Sequence, residues 1–276
     1  MSRVVVVNDV KLAVDETGSG QALVFVHGGW VDRHAWDGVT PGLADRFRVI
    51  SYDRRGHSQS ERSAGRNDLE AHAADLAALL DNLDAAPAHI VTSSIGGNIA
   101  LKMAVQHPER VASLCLHEPP MLGLVDDPTL QHTLEQTQHE EEQVRQNIRQ
   151  GDHEEAARHF FDQLAVGPGT WEMLPEPIRQ TVAANAPAWL EESQGAWSTT
   201  ESDELETVTS PVLLTGGGAH PPDYPYPLAA ILDRLASLLP HADRYTFQEA
   251  GHVPHQTHPH ELVEVVGDFL EQHPLQ

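Results

Sequence analysis

A chain of 276 residues, 40% of them apolar, is long enough for one large core, and no apolar run approaches the roughly 18 to 20 residues of a membrane span. Its formal charge of −24, from 41 Asp and Glu against 17 Lys and Arg, excludes nucleic acid and anionic membranes as expected partners, because a polyanion must meet a basic patch. The single cysteine, Cys115, lies in the apolar run "VASLCLH", so the expectation is a buried thiol, no internal disulfide and no redox chemistry.

The opening "MSRVVVVNDVKLAVDETGSG" carries no small-residue cleavage site after its valines, which argues against a secretory signal and makes the cytoplasm the expected compartment. It reads instead as an edge hairpin turning at Asn8 and Asp9. Near-continuous apolar runs follow at 22–28, 47–53, 88–94, 111–117, 211–217 and 244–250. They alternate with amphipathic segments at 69–83, 96–107, 227–239 and 258–272. Strands apolar on both faces and separated by helices predict an α/β fold with a mostly parallel, doubly wound sheet. Between Pro119 and Ser210 the alternation stops and only helical periodicity remains. The expected division is a core of residues 1–118 and 210–276 with a helical cap, or lid, at 119–209. Residues 126–206 hold 18 acidic side chains against 4 Arg and no Lys, so the cap's surface should be acidic. Trp171, Trp189, Trp197 and the pair Phe160 and Phe161 are cap aromatics, mostly for packing, with one or two expected along an apolar pocket.

The stretch "HIVTSSIGGNIAL" passes from a buried strand through a tight turn into a helix, the context of the nucleophile elbow G-x-S-x-G. The frame is Thr92-Ser93-Ser94-Ile95-Gly96. Only Ser94 has glycine two residues on, so Ser94 is placed at the corner. Thr92 is small but β-branched, and should fit with some strain or a slight shift of the helix. "VFVHGGW" follows the strand at 22–28, "YDRRGHSQS" spans 52–60, and "FQEAGHVPHQTHP" sets His252 between the last strand and the last helix.

Together these four motifs, in this order and spacing, resemble the α/β-hydrolase superfamily, in its branch of small capped esterases, lactonases and haloperoxidase-like proteins. The resemblance covers residues 3–118 and 210–272 and implies an α/β-hydrolase fold with the cap inserted after the sixth strand. It implies Ser94 as nucleophile, His252 as general base and the amides of Gly29 and Ile95 as the oxyanion hole. "YDRRGHSQS" corresponds to a structural turn. The acid departs from the family pattern. Where G-x-x-D is expected after "PVLLTGG", the chain has Gly217-Gly218-Ala219-His220. Glu118, at the end of the preceding strand, is preferred over Asp223 as the replacement, with His220 and Asp223 off the catalytic axis. Trp30, Met121 and Leu122 are the expected substrate contacts, with a greasy entrance and an uncharged substrate.

The expected function is therefore hydrolysis of an ester, a lactone or a related acyl compound through an acyl-enzyme on Ser94. The alternative is a non-hydrolytic member of the fold, such as a lyase, a carbon-carbon bond hydrolase or an enzyme of cofactor-free chemistry, or a ligand-binding protein without turnover. No cofactor is expected. The cluster of His252, His255, His258 and His260 is not read as a metal site, since it lacks H-x-x-x-H spacing on a predicted helix and an interleaved carboxylate. The expected partner is a small molecule alone, the protein being a monomer or homodimer.

Overall fold

The valines of the N-terminus pair as a hairpin. Strand β1 (Ser2–Val7) runs antiparallel to β2 (Val10–Gly18), and the turn puts Asn8 and Asp9 at φ 46° and 62°. Those left-handed angles suit the two residue types best able to adopt them after glycine. The computed structural model describes residues 2–62, 66–194, 200–221 and 224–275. Its remaining strands are β3 (Gln21–Val26), β4 (Phe47–Tyr52), β5 (Ala88–Ser93), β6 (Val111–His117), β7 (Val212–Gly217) and β8 (Ala242–Phe247). They form one eight-stranded sheet in the order β1-β2-β4-β3-β5-β6-β7-β8, antiparallel at β1/β2 and β2/β4 and parallel elsewhere.

The period of two divides the central strands between two apolar layers. In β3, Val24 and Val26 join one layer while Leu23 and Phe25 join the other, and Leu214 and Leu213 split the same way in β7. Numbering only helices of seven residues or more, α1 (Leu69–Asn82), α2 (Ile95–Gln106) and α6 (Leu228–Leu238) cover the first layer, and α7 (Pro259–Gln272) covers the second. Strand β8 starts two residues earlier than its sequence suggests. It is an edge strand with exposed Asp243 to Thr246, and pairing with β7 rather than apolar content sets its register.

Between β6 and β7 no strand occurs among the described residues. The segment holds α3 (Gln131–Gln150), α4 (His153–His159), a π-helical continuation at Phe160–Ala165, and α5 (Glu176–Ser193). These helices build a third apolar cluster from Val144, Ile148, Phe161, Trp171, Val182 and Trp189, joined by Trp30 from the core. Phe160, Ala165 and Trp189 face Ser94 across a common pocket, so this cap covers the carboxyl ends of the strands. Trp197 lies outside the described residues.

Candidate active site

Ser94 stands between β5 and α2 with φ 54° and ψ −129°, a conformation costing a residue with a side chain about 1–3 kcal/mol. Two bonds hold it there: the Ser94 N–H donates to His117 O, and the Gly97 N–H to Ser94 O, both at 2.8 Å. Strand and helix are close. A Cβ on Gly96 would lie 2.5 Å from Val26 O, so glycine is required at that position. Thr92 fits because the second glycine makes room: a Cβ on Gly97 would lie 3.3 Å from Thr92 Oγ1, which instead donates to Cys115 O at 3.3 Å.

The loop after β3 is fixed by His27. Burial and the nearby Arg54 hold its imidazole well below the usual range, so the ring is neutral. Its Nδ1–H donates to Gly28 O at 2.8 Å, while Nε2 accepts the Arg54 N–H at 3.0 Å. Arg54 Nη2 donates to Gly28 O as well, at 3.1 Å. The turn at 52–60 closes around Asp53, which accepts from the Arg33 and Gln59 amides and from Arg33 Nη1. From that turn Arg54 reaches the cap, pairing with Glu192 of α5 at 2.5 Å. His72 Nε2 lies 2.9 Å from the same carboxylate. This bracket ties the loop carrying Gly29 to the cap.

Glu118 follows β6 directly, 1% exposed and at φ 46°. Its Oε2 accepts from His252 Nδ1 at 2.7 Å. On the other oxygen, Oε1 accepts the Gly217 N–H at 2.6 Å and His220 Nε2 at 2.7 Å. Burial opposes ionisation here, and His117, His220 and His252 outweigh it, holding the carboxyl well below its usual range. His220, expected away from this axis, is on it. The loop after β7 passes so close to the end of β6 that a histidine there reaches the glutamate. Asp223 lies outside the described residues.

Ser94, Ile95, Gly29 and His252 share one pocket of about 460 Å³, open space at its mouth included. Pro120 and Leu122 supply part of its wall, the cap residues Phe160, Ala165 and Trp189 another part, and Tyr226, Leu228 and Glu141 the rest. Glu141 is buried on α3 and accepts from the Tyr226 hydroxyl at 2.8 Å. Two expected contacts are corrected. Trp30, at φ 71°, turns its ring into the cap, stacked on Phe160 at 5.1 Å and 5.3 Å from Trp189, behind the wall rather than on it. Met121 is fully buried in the first apolar layer and does not line this pocket.

The histidine tract divides. His252 meets Glu118, His255 packs on Trp36 at 4.9 Å, and His260 is exposed. The group with metal-like spacing is instead His117, Glu118 and His252, whose ligating atoms lie within 4.8 Å of one another. His252 Nδ1 and Glu118 Oε2 are already engaged with each other at 2.7 Å, so as placed this group serves hydrogen bonding.

The sequence matches the family described as alpha/beta hydrolase fold over residues 21–259. An uncharacterized hydrolase of Bacillus subtilis, YraK, is 29% identical over 264 residues, covering 92% of this chain and 90% of its own. A thermophilic esterase from Thermogutta terrifontis superposes with a TM-score of 0.76 at 25% identity, covering 99% of this chain and all of its own. The enol-lactonase from Burkholderia xenovorans LB400 shares the fold, with a TM-score of 0.75 at 20% identity over 98% and 100% of the two chains. This chain belongs to the α/β-hydrolase fold family. It is an enzyme of that type, and no helix among its described residues is long and apolar enough to cross a membrane.

Proposed function

We propose that the protein is a serine hydrolase that cleaves an uncharged ester or lactone through an acyl-enzyme on Ser94. The observation that carries this reading is the 2.7 Å contact of Glu118 with His252 Nδ1, in a pocket that His252 shares with a strained Ser94. Ser94 Oγ attacks the carbonyl carbon as its proton passes to His252 Nε2, and Glu118 stabilises the imidazolium that forms. The amides of Gly29 and Ile95 hold the developing oxyanion, each such donor being worth ~3 kcal/mol in the transition state. His252 returns the proton to the departing alkoxide. Water then loses a proton to the same nitrogen and adds to the acyl carbon, and His252 returns that proton to Ser94 Oγ as the acid leaves.

Serine at the elbow, where alkyl-ester chemistry needs a carboxylate, favours acyl transfer. The esterase and lactonase names of the structural neighbours agree with that class. The substrate is a small molecule and no cofactor is involved. The largely apolar wall and the Glu141 carboxylate favour acyl groups without negative charge. A fluorophosphonate probe tests the reading. Labelling is expected for the wild type and Ser93→Ala and lost in Ser94→Ala, together with turnover of short p-nitrophenyl esters. Labelling that survives in Ser94→Ala refutes it.

A further inference from the structure

Glu118 takes a histidine hydrogen bond on each oxygen, His252 on Oε2 and His220 on Oε1, with His117 Nε2 at 3.5 Å from Oε2, and only His252 faces the proposed chemistry. An ionised carboxylate only accepts, so His220 Nε2 carries the proton in its 2.7 Å contact with Oε1. With the Gly217 amide, Oε1 has two donors, which leaves Oε2 to His252. His220 is itself braced. Its ring lies 4.2 Å from that of Tyr224, whose hydroxyl donates to Ala165 O in the cap at 2.9 Å. A glutamate has one more rotatable bond than an aspartate, and this one sits on a backbone with positive φ, so its carboxylate needs outside support to keep one orientation.

We propose that His220 is a positioning residue that clamps Glu118 through Oε1, so that Oε2 stays aimed at His252 Nδ1. The residue found where the family pattern has its acid thus serves the acid that replaced it. This inference rests on the reading of Ser94, His252 and Glu118 as the catalytic array. Among the described residues, the titratable groups facing Glu118 are His117 from its own strand, His220 and Tyr224 from the segment after β7, and His252. Removing the His220 donor frees Oε1 and leaves the carboxylate less firmly aimed at His252 Nδ1.

The test is steady-state kinetics on a short p-nitrophenyl ester, with thermal melting, for His220→Phe, His220→Gln and His220→Asn. The phenylalanine variant is expected to lower kcat about tenfold to a hundredfold, the cost of an ångström-scale misplacement, with KM within about twofold. Glutamine, whose amide reaches as far as Nε2, restores kcat to within about threefold. Asparagine is too short and stays impaired. A wild-type kcat in His220→Phe, or a change confined to KM, overturns the clamp. So does a glutamine variant as slow as asparagine when both melt like the wild type, a comparison that holds even if His220→Phe unfolds early. Ser94→Ala and Glu118→Gln measured alongside separate the two levels. If they also keep full activity, the array itself is wrong; if they lose it while His220→Phe does not, only the clamp is.

Discussion

Glu118 and Glu192 are both buried among histidines, Glu118 at the end of β6 and Glu192 where α5 meets the core. Glu192 has Arg54 at 2.5 Å, with neither side chain more than 4% exposed, and His72 at 2.9 Å. The ion-pair partners of Glu118 among the described residues are all histidines: His252, His220 and His117. A permanent guanidinium completes the charge balance of Glu192, so that pair acts as a strut between core and cap. Glu118 has no guanidinium beside it; its carboxylate is held by hydrogen bonds from His252 and His220, with the ring of His117 nearby. The same side chain is thus held by a fixed charge in one place and by histidine hydrogen bonds in the other.

The sharpest way to break this contrast is to neutralise each carboxylate in turn. Glu118→Gln is expected to lower kcat by about 10³ to 10⁴, through the wrong tautomer of His252, with a nearly unchanged melting temperature. Steady-state rates at saturating ester measure this. Glu192→Gln should do the reverse, costing about 3–5 kcal/mol of stability by leaving Arg54 buried and unpaired, while the folded fraction keeps kcat within a fewfold. Urea unfolding reads that loss. If the two phenotypes are exchanged, the roles assigned to the glutamates are exchanged with them.

Acid separates the clusters less sharply but tests the burial on which both rest. Burial, with Arg54 beside it, pushes the His57 imidazole down to about 3; burial likewise pushes His255 to about 3 and His117 to about 4. In the unfolded chain these rings take up protons near pH 6.5, and in the fold they remain neutral. The unfolded state therefore binds more protons, and stability falls as pH drops below about 6.5, at up to roughly 1.4 kcal/mol per unit for each ring. The loss ends near the folded values of 3 to 4. Against a typical total of about 5–15 kcal/mol, three such rings are enough to unfold the protein within a few pH units. A urea midpoint that stays flat from pH 7 to 5 contradicts this account.

What could be read from the sequence follows from which interactions are local. The inner strands were legible because they are buried on both faces and composed accordingly, and β8 was misplaced because partner pairing sets its limits. Ser94 was legible from a turn that demands glycine at one adjacent position, Gly96, within the same few residues. Glu118 came forward because the residue at 220 is not an acid. That His220 would reach it was not legible, since order along the chain does not reveal how closely two strand ends approach. Arg54 and Glu192 are 138 residues apart, and no periodicity links them. Trp30 and Met121 were assigned to the pocket from adjacency alone, and the fold instead packs Trp30 among the cap aromatics and Met121 in the first apolar layer.

The smallest expected effect is that of His72→Gln, which sharpens the comparison by making at Glu192 the same kind of change that His220→Gln makes at Glu118. The glutamine amide can donate to Glu192 Oε1 from the position of His72 Nε2, and Arg54 still supplies the charge, so the stability change at pH 7.5 should stay within about 1 kcal/mol. The rate on esters should not change. What does change is the response to acid, because burial lowers the pKa of His72 in the fold and glutamine takes no proton in the unfolded chain. Below about pH 6.5 the variant should lose stability more slowly than the wild type, by up to roughly 1.4 kcal/mol per pH unit. Parallel urea midpoints for the two proteins from pH 7.5 to 5 are the adverse outcome. A tenfold fall in kcat at unchanged melting would mean that the strut and the catalytic carboxylate are coupled, and that Glu192 does more than hold the cap.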